Sequence, residues 1–459
     1  MKNTGTRDFA LRAVPWILCL LVISCSSEGT SRDELNVEWH YRQGMEAYRR
    51  SDYATYLEHF RKAVKLSPTH PEMMFNLGRA YSLLGNRALA LEWLGRAVDR
   101  GLYLKSFPGD HLDFIKETAE YQSLVAQAAK RRIPVWSSRT AFSFSDDDFC
   151  PEGIAYDPVK KVFFVGSFAK RKIVTVDASG REGFFAAEGQ DGLAAITGMK
   201  VDARRRVLWV ATSVPVDRSG PGDIPGWSSV FKYDLETGRL VEKYPADPKT
   251  GPHLFNDLTV AGSGDVFITD SLLGAIFLIR ADKKAGLELW TKPKHMTYPN
   301  GIALSDDNRR LYVAQGEGVS VISVETRSQS LLSVPDDMTL TGIDGLYFYK
   351  NSLVAVQYDY SRGRVIQFFL NEASLGGPEP KFPAWLKKGL LVLKPDRPGV
   401  TGVKILEAEN PLFLNPQTGV IDQDTFYYIA NSRISAFMGA KDLPTGGAPG
   451  VLILKTRLQ

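Results

Sequence analysis

Beyond residue 150, six oxygen-bearing side chains fall in one repeated slot. Glu152 (Pro-Glu-Gly-Ile-Ala), Thr197 (Thr-Gly-Met-Lys-Val), Asn256 (Phe-Asn-Asp-Leu-Thr), Asn300 (Pro-Asn-Gly-Ile-Ala), Asp344 (Ile-Asp-Gly-Leu-Tyr) and Thr418 each precede Gly or Asp and then an apolar run. Two carboxylates and two amides in equivalent positions describe a site for a hard cation. Ca²⁺ accepts mixed carboxylate, amide and water oxygens, and two carboxylates balance its charge. No His/Cys cluster favours zinc. The bland alternative is that each side chain only hydrogen-bonds its own loop, as Asn and Asp before Gly often do in turns. Recurrence of the slot across the chain argues against it.

The elements that must position these groups follow from the spacing. Successive intervals are 45, 59, 44, 44 and 74 residues, two of them carrying insertions. After each slot comes a second hydrophobic run: residues 162–165, 207–210, 266–269, 311–314, 353–356 and 426–429. A period near 40–50 residues with several strands per unit is the pattern of propeller blades, and stacking blades about an axis brings equivalent residues to one central spot. A strand at Thr140–Ser145 and one at Gly450–Lys455 would close the ring in a shared blade, removing exposed sheet edges. The expected architecture over 138–459 is a six-bladed β-propeller. By strand count, loops 214–228 and 433–449 belong on the site face and would form its rim, while the insertion at 376–398 belongs on the opposite face.

At these motifs the chain resembles the calcium-dependent six-bladed propeller hydrolases, the senescence-marker-protein/gluconolactonase group with its paraoxonase, diisopropylfluorophosphatase and strictosidine-synthase-like relatives. The resemblance spans about residues 140–459. It implies a catalytic calcium held by Glu152, Asn256, Asn300 and Asp344, and hydrolysis of a small-molecule lactone or ester. It also marks two departures. Gln315 in Val-Ala-Gln-Gly stands where the gluconolactonase branch has an Asp ligand, and Thr197 stands where paraoxonase-like members have a His. The base is then expected to be His253, three residues before Asn256, or else Asp344 and Glu152 must carry the proton themselves. His295 is the weaker histidine. Asp257 is expected to orient Asn256, with Thr197 and Thr418 lining the ring. A reading from another class is a non-catalytic envelope scaffold with a structural calcium.

Ahead of the propeller, residues 34–132 read as helices. Gly44 and Gly78, Phe60 and Leu94, and Ala63 and Ala97 are each 34 residues apart, the tetratricopeptide period, with a degenerate third unit at 111–130. Such repeats are a possible surface for a protein partner. Ile133-Pro134 ends the helical region, since the residue before proline is pushed out of helical space. Residues 1–24 combine Lys2, Arg7 and Arg12 with a short apolar core ending in Val22-Ile23-Ser24-Cys25, which resembles a lipoprotein signal peptide. Cys25 would then be acylated, 25–33 would be a linker, and the protein would be anchored by lipid in a bacterial envelope, at the outer membrane if Gram-negative. Net charge is +4, and no basic run is longer than three residues, as in Lys-Arg-Arg at 130–132, which gives a nucleic-acid partner no electrostatic support.

Overall fold

The computed structural model describes residues 37–102, 104, 111–214, 227–282, 286–294, 296–335, 338–357, 363–371, 398–437 and 450–459. The leader, Cys25 and the linker lie outside them. Four helices come first: α1 (Val37–Arg49), α2 (Tyr53–Leu66), α3 (Pro71–Leu83) and α4 (Arg87–Asp99). Val37 and Pro71 are 34 residues apart, as are Tyr53 and Arg87, so the helical hairpin repeats at the expected period. Asp52 and Asn86 cap α2 and α4 alike, each side chain accepting a backbone N–H of the first turn. Glycine is needed where the paired helices touch. A Cβ on Gly44 would stand 2.6 Å from the Phe60 ring, and one on Gly78 would stand 2.9 Å from Leu94. The expected third unit contributes one long helix, α5 (Ala119–Lys130).

Six sheets follow, four with every strand in sequence order. Blade 1 starts with Pro151–Asp157, blade 2 with Ala195–Asp202, blade 3 with Phe255–Val260, blade 4 with Ile302–Leu304, blade 5 with Ile343–Tyr349 and blade 6 with Gly419–Asp422. These innermost strands touch in the cycle 1–2–3–4–5–6–1, so the ring closes. Closure is as expected from sequence. Arg139–Phe144 joins blade 6 beside Val451–Arg457, with Phe144 opposite Val451. One strand was not foreseen. Val135–Trp136 pairs with Glu407 and Ala408 as a fifth strand of blade 5, so sheet begins before the expected boundary at 138.

The apolar runs fill the spaces between blades. Phe164, Met199 and Phe231 pack between blades 1 and 2, and Val207, Phe255 and Phe277 between blades 2 and 3. Arg206 of blade 2 makes a two-pronged bond to the fully buried Asp157 of blade 1, both contacts 2.7 Å. The helical region is tied to the propeller by Arg100, which donates to the Met338 carbonyl at 3.1 Å, and by the Arg132–Glu409 ion pair.

Candidate metal centre

Every innermost strand presents its slot residue at the same end. Glu152 and Asn256 are second in their strands, Asp344 is second in blade 5, Thr197 is third in blade 2, and Asn300 and Thr418 just precede theirs. The small residue after the slot has a steric reason. A Cβ on Gly301 would lie 2.3 Å from the Asp344 carbonyl, and one on Gly198 would lie 2.7 Å from the Asn256 carbonyl. At blades 4 and 2 the neighbouring backbones therefore meet at the axis only because the slot is followed by glycine. Blade 3 is the exception, with Asp257 in the glycine position.

Three of the four expected ligands lie together, Asn300 bonded to Asp344 and the charge of Asp344 acting on Glu152, and each of the three carries an unanswered oxygen. Glu152 Oε2, Asn300 Oδ1 and Asp344 Oδ2 are buried and have no hydrogen-bond partner. Asn300 Nδ2 donates to Asp344 Oδ1 at 2.7 Å, which orients both groups. Asn256 Nδ2 donates to Ser271 Oγ at 3.1 Å, leaving its oxygen as the acceptor end. Buried polar oxygens are almost always paired, and leaving one unpaired costs about 1–3 kcal/mol. Three in one spot, from blades 1, 4 and 5, fit a cation with oxygen ligands. Among the described residues no three His, Cys, Asp or Glu side chains form a metal-binding group, so the two amides are needed to complete any such site.

Electrostatics agree. Burial, followed by the charges of Asp344 and Asp257, pushes the Glu152 carboxyl well above its usual range. Burial pushes Asp344 up to about 7, against the opposing Asn300 bond, with Asp257 adding to the rise. Carboxyls crowded in a dry site resist ionising until a cation joins them.

The remaining expected residues take other positions. Thr197 Oγ1 donates to the Phe255 carbonyl at 2.6 Å, and Thr418 Oγ1 donates to the Glu152 carbonyl. Both staple one blade to the next, in keeping with a lining role. Asp257 does not orient Asn256; Ser271 does. The Asp257 carboxylate instead accepts the Leu258 N–H at 2.8 Å and lies 3.8 Å from the Lys200 ammonium. Burial raises its pKa and Lys200 works against that rise. His253 is likewise corrected. Its ring is buried against Phe255 and Phe277, Nδ1 lies 2.5 Å from Asp270 and Nε2 lies 2.7 Å from Thr250. With both nitrogens taken, it braces the entry to blade 3 and has none free for a substrate. Gln315 is engaged by Thr297, whose N–H and hydroxyl both donate to its Oε1. His295 lies outside the described residues.

Of the loops expected at the rim, 215–226 and 438–449 fall outside the described residues, as does 372–397, expected on the opposite face. Their bases do not. Val214 N–H donates to the Trp227 carbonyl at 2.7 Å just beyond Ser213, which itself donates to the Phe255 carbonyl beside Asn256. Phe437 packs edge-on to Phe168, 5.8 Å between centroids. Glu317 was not foreseen. It sits in the tight turn after Gln315, at the end of blade 4 where Asn300 N–H donates to the Ala314 carbonyl. Burial alone pushes its carboxyl up to about 7. A lone acid between Gly316 and Gly318 was its only signal in sequence.

Fold and site together define a six-bladed propeller with an oxygen-lined axial centre. No known protein-family profile matches the chain. Over 75 residues it is 33% identical to the uncharacterized protein MJ0572 of Methanocaldococcus jannaschii, covering 16% of this chain and 87% of that protein, and over that stretch it belongs to that protein's family. Among solved structures, it is similar to a gluconolactonase of Xanthomonas campestris (15% identity, 71% of this chain and 92% of that one, TM-score 0.43). It is also similar to virginiamycin B lyase of Staphylococcus aureus (14%, 70% and 99%, TM-score 0.44). A luciferin-regenerating enzyme gives 12%, 70% and 95%, with a TM-score of 0.45.

Proposed function

We propose that the chain is a calcium-dependent hydrolase of lactones or esters, acting at the axial end of its propeller. The observation that carries this reading is the trio of buried oxygens without donors, Glu152 Oε2, Asn300 Oδ1 and Asp344 Oδ2. With the Asn256 amide they would hold the ion. When bound, calcium would polarise a carbonyl oxygen and stabilise the negative charge that develops there. Asn300 keeps Asp344 oriented through its 2.7 Å bond, and Ser271 keeps Asn256 oriented. Glu317, with a carboxyl near 7 at the same end of blade 4, is suited to hold or release a proton at its carboxyl oxygens at neutral pH. Trp227 and Phe437 would offer apolar surface to the part of the substrate that does not react.

The scaffold reading is favoured by one observation, that His253 has both ring nitrogens engaged. In that reading calcium is structural and the helical repeats hold a protein partner. Lipid anchoring through Cys25 and an envelope location belong to both readings. Among the described residues no helix is long and apolar enough to cross a membrane. The deciding test is a panel of lactones and aryl esters with and without chelator. Hydrolysis lost on chelation and restored by calcium supports the enzyme. Calcium binding with no turnover across the panel supports the scaffold.

A further inference from the structure

Three buried carboxylates, Glu152, Asp257 and Asp344, influence one another at this end of the axis, and among the described residues Lys200 is the cation that reaches them. Lys200 extends from the innermost strand of blade 2. Its ammonium lies 3.8 Å from Asp257 Oδ1 in blade 3 and 4.7 Å from the centre of the Tyr347 ring in blade 5. Blades 2 and 5 face each other across the ring, so the side chain spans the axis. It is 21% exposed, while Asp257 is 2% exposed. The Tyr347 hydroxyl accepts the Gly419 N–H at 2.6 Å, which fixes the ring face on which the ammonium rests. Asp257 has a place beside Lys200 because Gly198, directly opposite, has no side chain. A Cβ there would lie 2.8 Å from Asp257 Oδ1.

We propose that Lys200 is a built-in counter-ion that sets the valence of the metal centre. This rests on the metal reading above. Three ionised carboxylates and one ammonium leave a deficit of two charges, which one divalent ion neutralises. Without Lys200 the deficit would be three and would favour a trivalent ion. Without Asp257 it would be one, and the centre would hold any multivalent ion less well. Lys200 is thus a specificity residue that need not touch the ion.

Full-length protein is titrated by calorimetry with Ca²⁺ alone and with Tb³⁺ alone, and the ratio of terbium to calcium affinity is compared across variants. Lys200→Met should raise this ratio about tenfold or more, because the lost charge acts in proportion to ion valence. Asp257→Asn should lower it by a similar factor. The double variant, which again has a deficit of two, should return to the wild-type ratio. A Lys200→Met ratio within threefold of wild type overturns the proposal, as does a double variant that follows either single one. If Lys200→Met fails to fold, Asp257→Asn and the double variant still decide, since an unchanged or raised Asp257→Asn ratio overturns it. A wild-type chain that binds neither ion overturns this inference together with the metal reading. Variants that follow the expected order in a protein that hydrolyses nothing uphold Lys200 and overturn only the hydrolase reading.

Discussion

At the scale of single residues, the centre separates groups that would hold an ion from groups that hold the ring. Asp344→Asn and Glu152→Gln each remove one of the two carboxylates that would hold the ion, and should weaken calcium binding by at least tenfold and abolish any hydrolysis, read by calorimetry and by turnover. Thr197→Ala removes a hydroxyl shared between the Phe255 and Ala211 carbonyls, so it should cost about 1 kcal/mol of stability and leave calcium affinity near wild type. The pH dependence follows from the raised carboxyls. Asp344 titrates near 7 in the metal-free fold and near 4 when unfolded. The folded state therefore binds more protons between those values, and its stability falls as pH rises through that window, with Glu152 extending the fall upward. The melting temperature of metal-free protein should drop from pH 5 to pH 8, and calcium's stabilising effect should grow over the same range. The four residues proposed to hold the ion stand out in the sequence because their slot recurs. Lys200 and Tyr347 do not, because they act across blades, and neither does Ser271, which meets Asn256 from just beyond the next strand of blade 3; none of the three carries a shared spacing. His253 was misread because sequence order placed it near Asn256, whereas it lies ahead of the strand Phe255–Val260 and bonds Thr250 and Asp270, while Asn256 bonds Ser271.

At the scale of elements, the decisive feature is how closely neighbouring innermost strands approach. Gly301 N–H donates to the Asp344 carbonyl at 2.9 Å, and no side chain fits between them. Gly301→Ala should displace Asn300 from Asp344, lowering both the melting temperature and calcium affinity. A variant that melts and binds as wild type would contradict this account of the slot. Strand positions could be read from alternating apolar runs and helix positions from the 34-residue period. The short strand Val135–Trp136 could not, since two residues carry no periodicity and are held by pairing with blade 5.

At the scale of the whole molecule, a ligand that binds only the folded ring stabilises it by mass action, about 2.7 kcal/mol at a hundredfold excess over the dissociation constant. Chelation should lower the propeller's melting temperature, and an unchanged melt would remove calcium from this account. The helical region has its own core around Tyr56, Phe60 and Phe75, with Arg79 stacked 4.3 Å from the Tyr48 ring. Its melt should be less sensitive to chelation. Cys25→Ala should shift the protein from the membrane fraction to the soluble one, tested by fractionation of cells expressing each form.

The ring is sealed by a strand made early and a strand made much later, Phe144 lying opposite Val451. At about 5–20 residues per second the ribosome needs roughly 15–60 s to span that gap. For that interval Arg139–Phe144 has no partner, and the apolar flanks of blades 1 and 6 lack each other. Contacts so distant in sequence also make closure slow once both strands have been made. The nascent protein therefore passes through an open, adhesive stage whose length is set by translation, and whatever holds nascent chains apart in the cell must shield it until residue 457 has emerged.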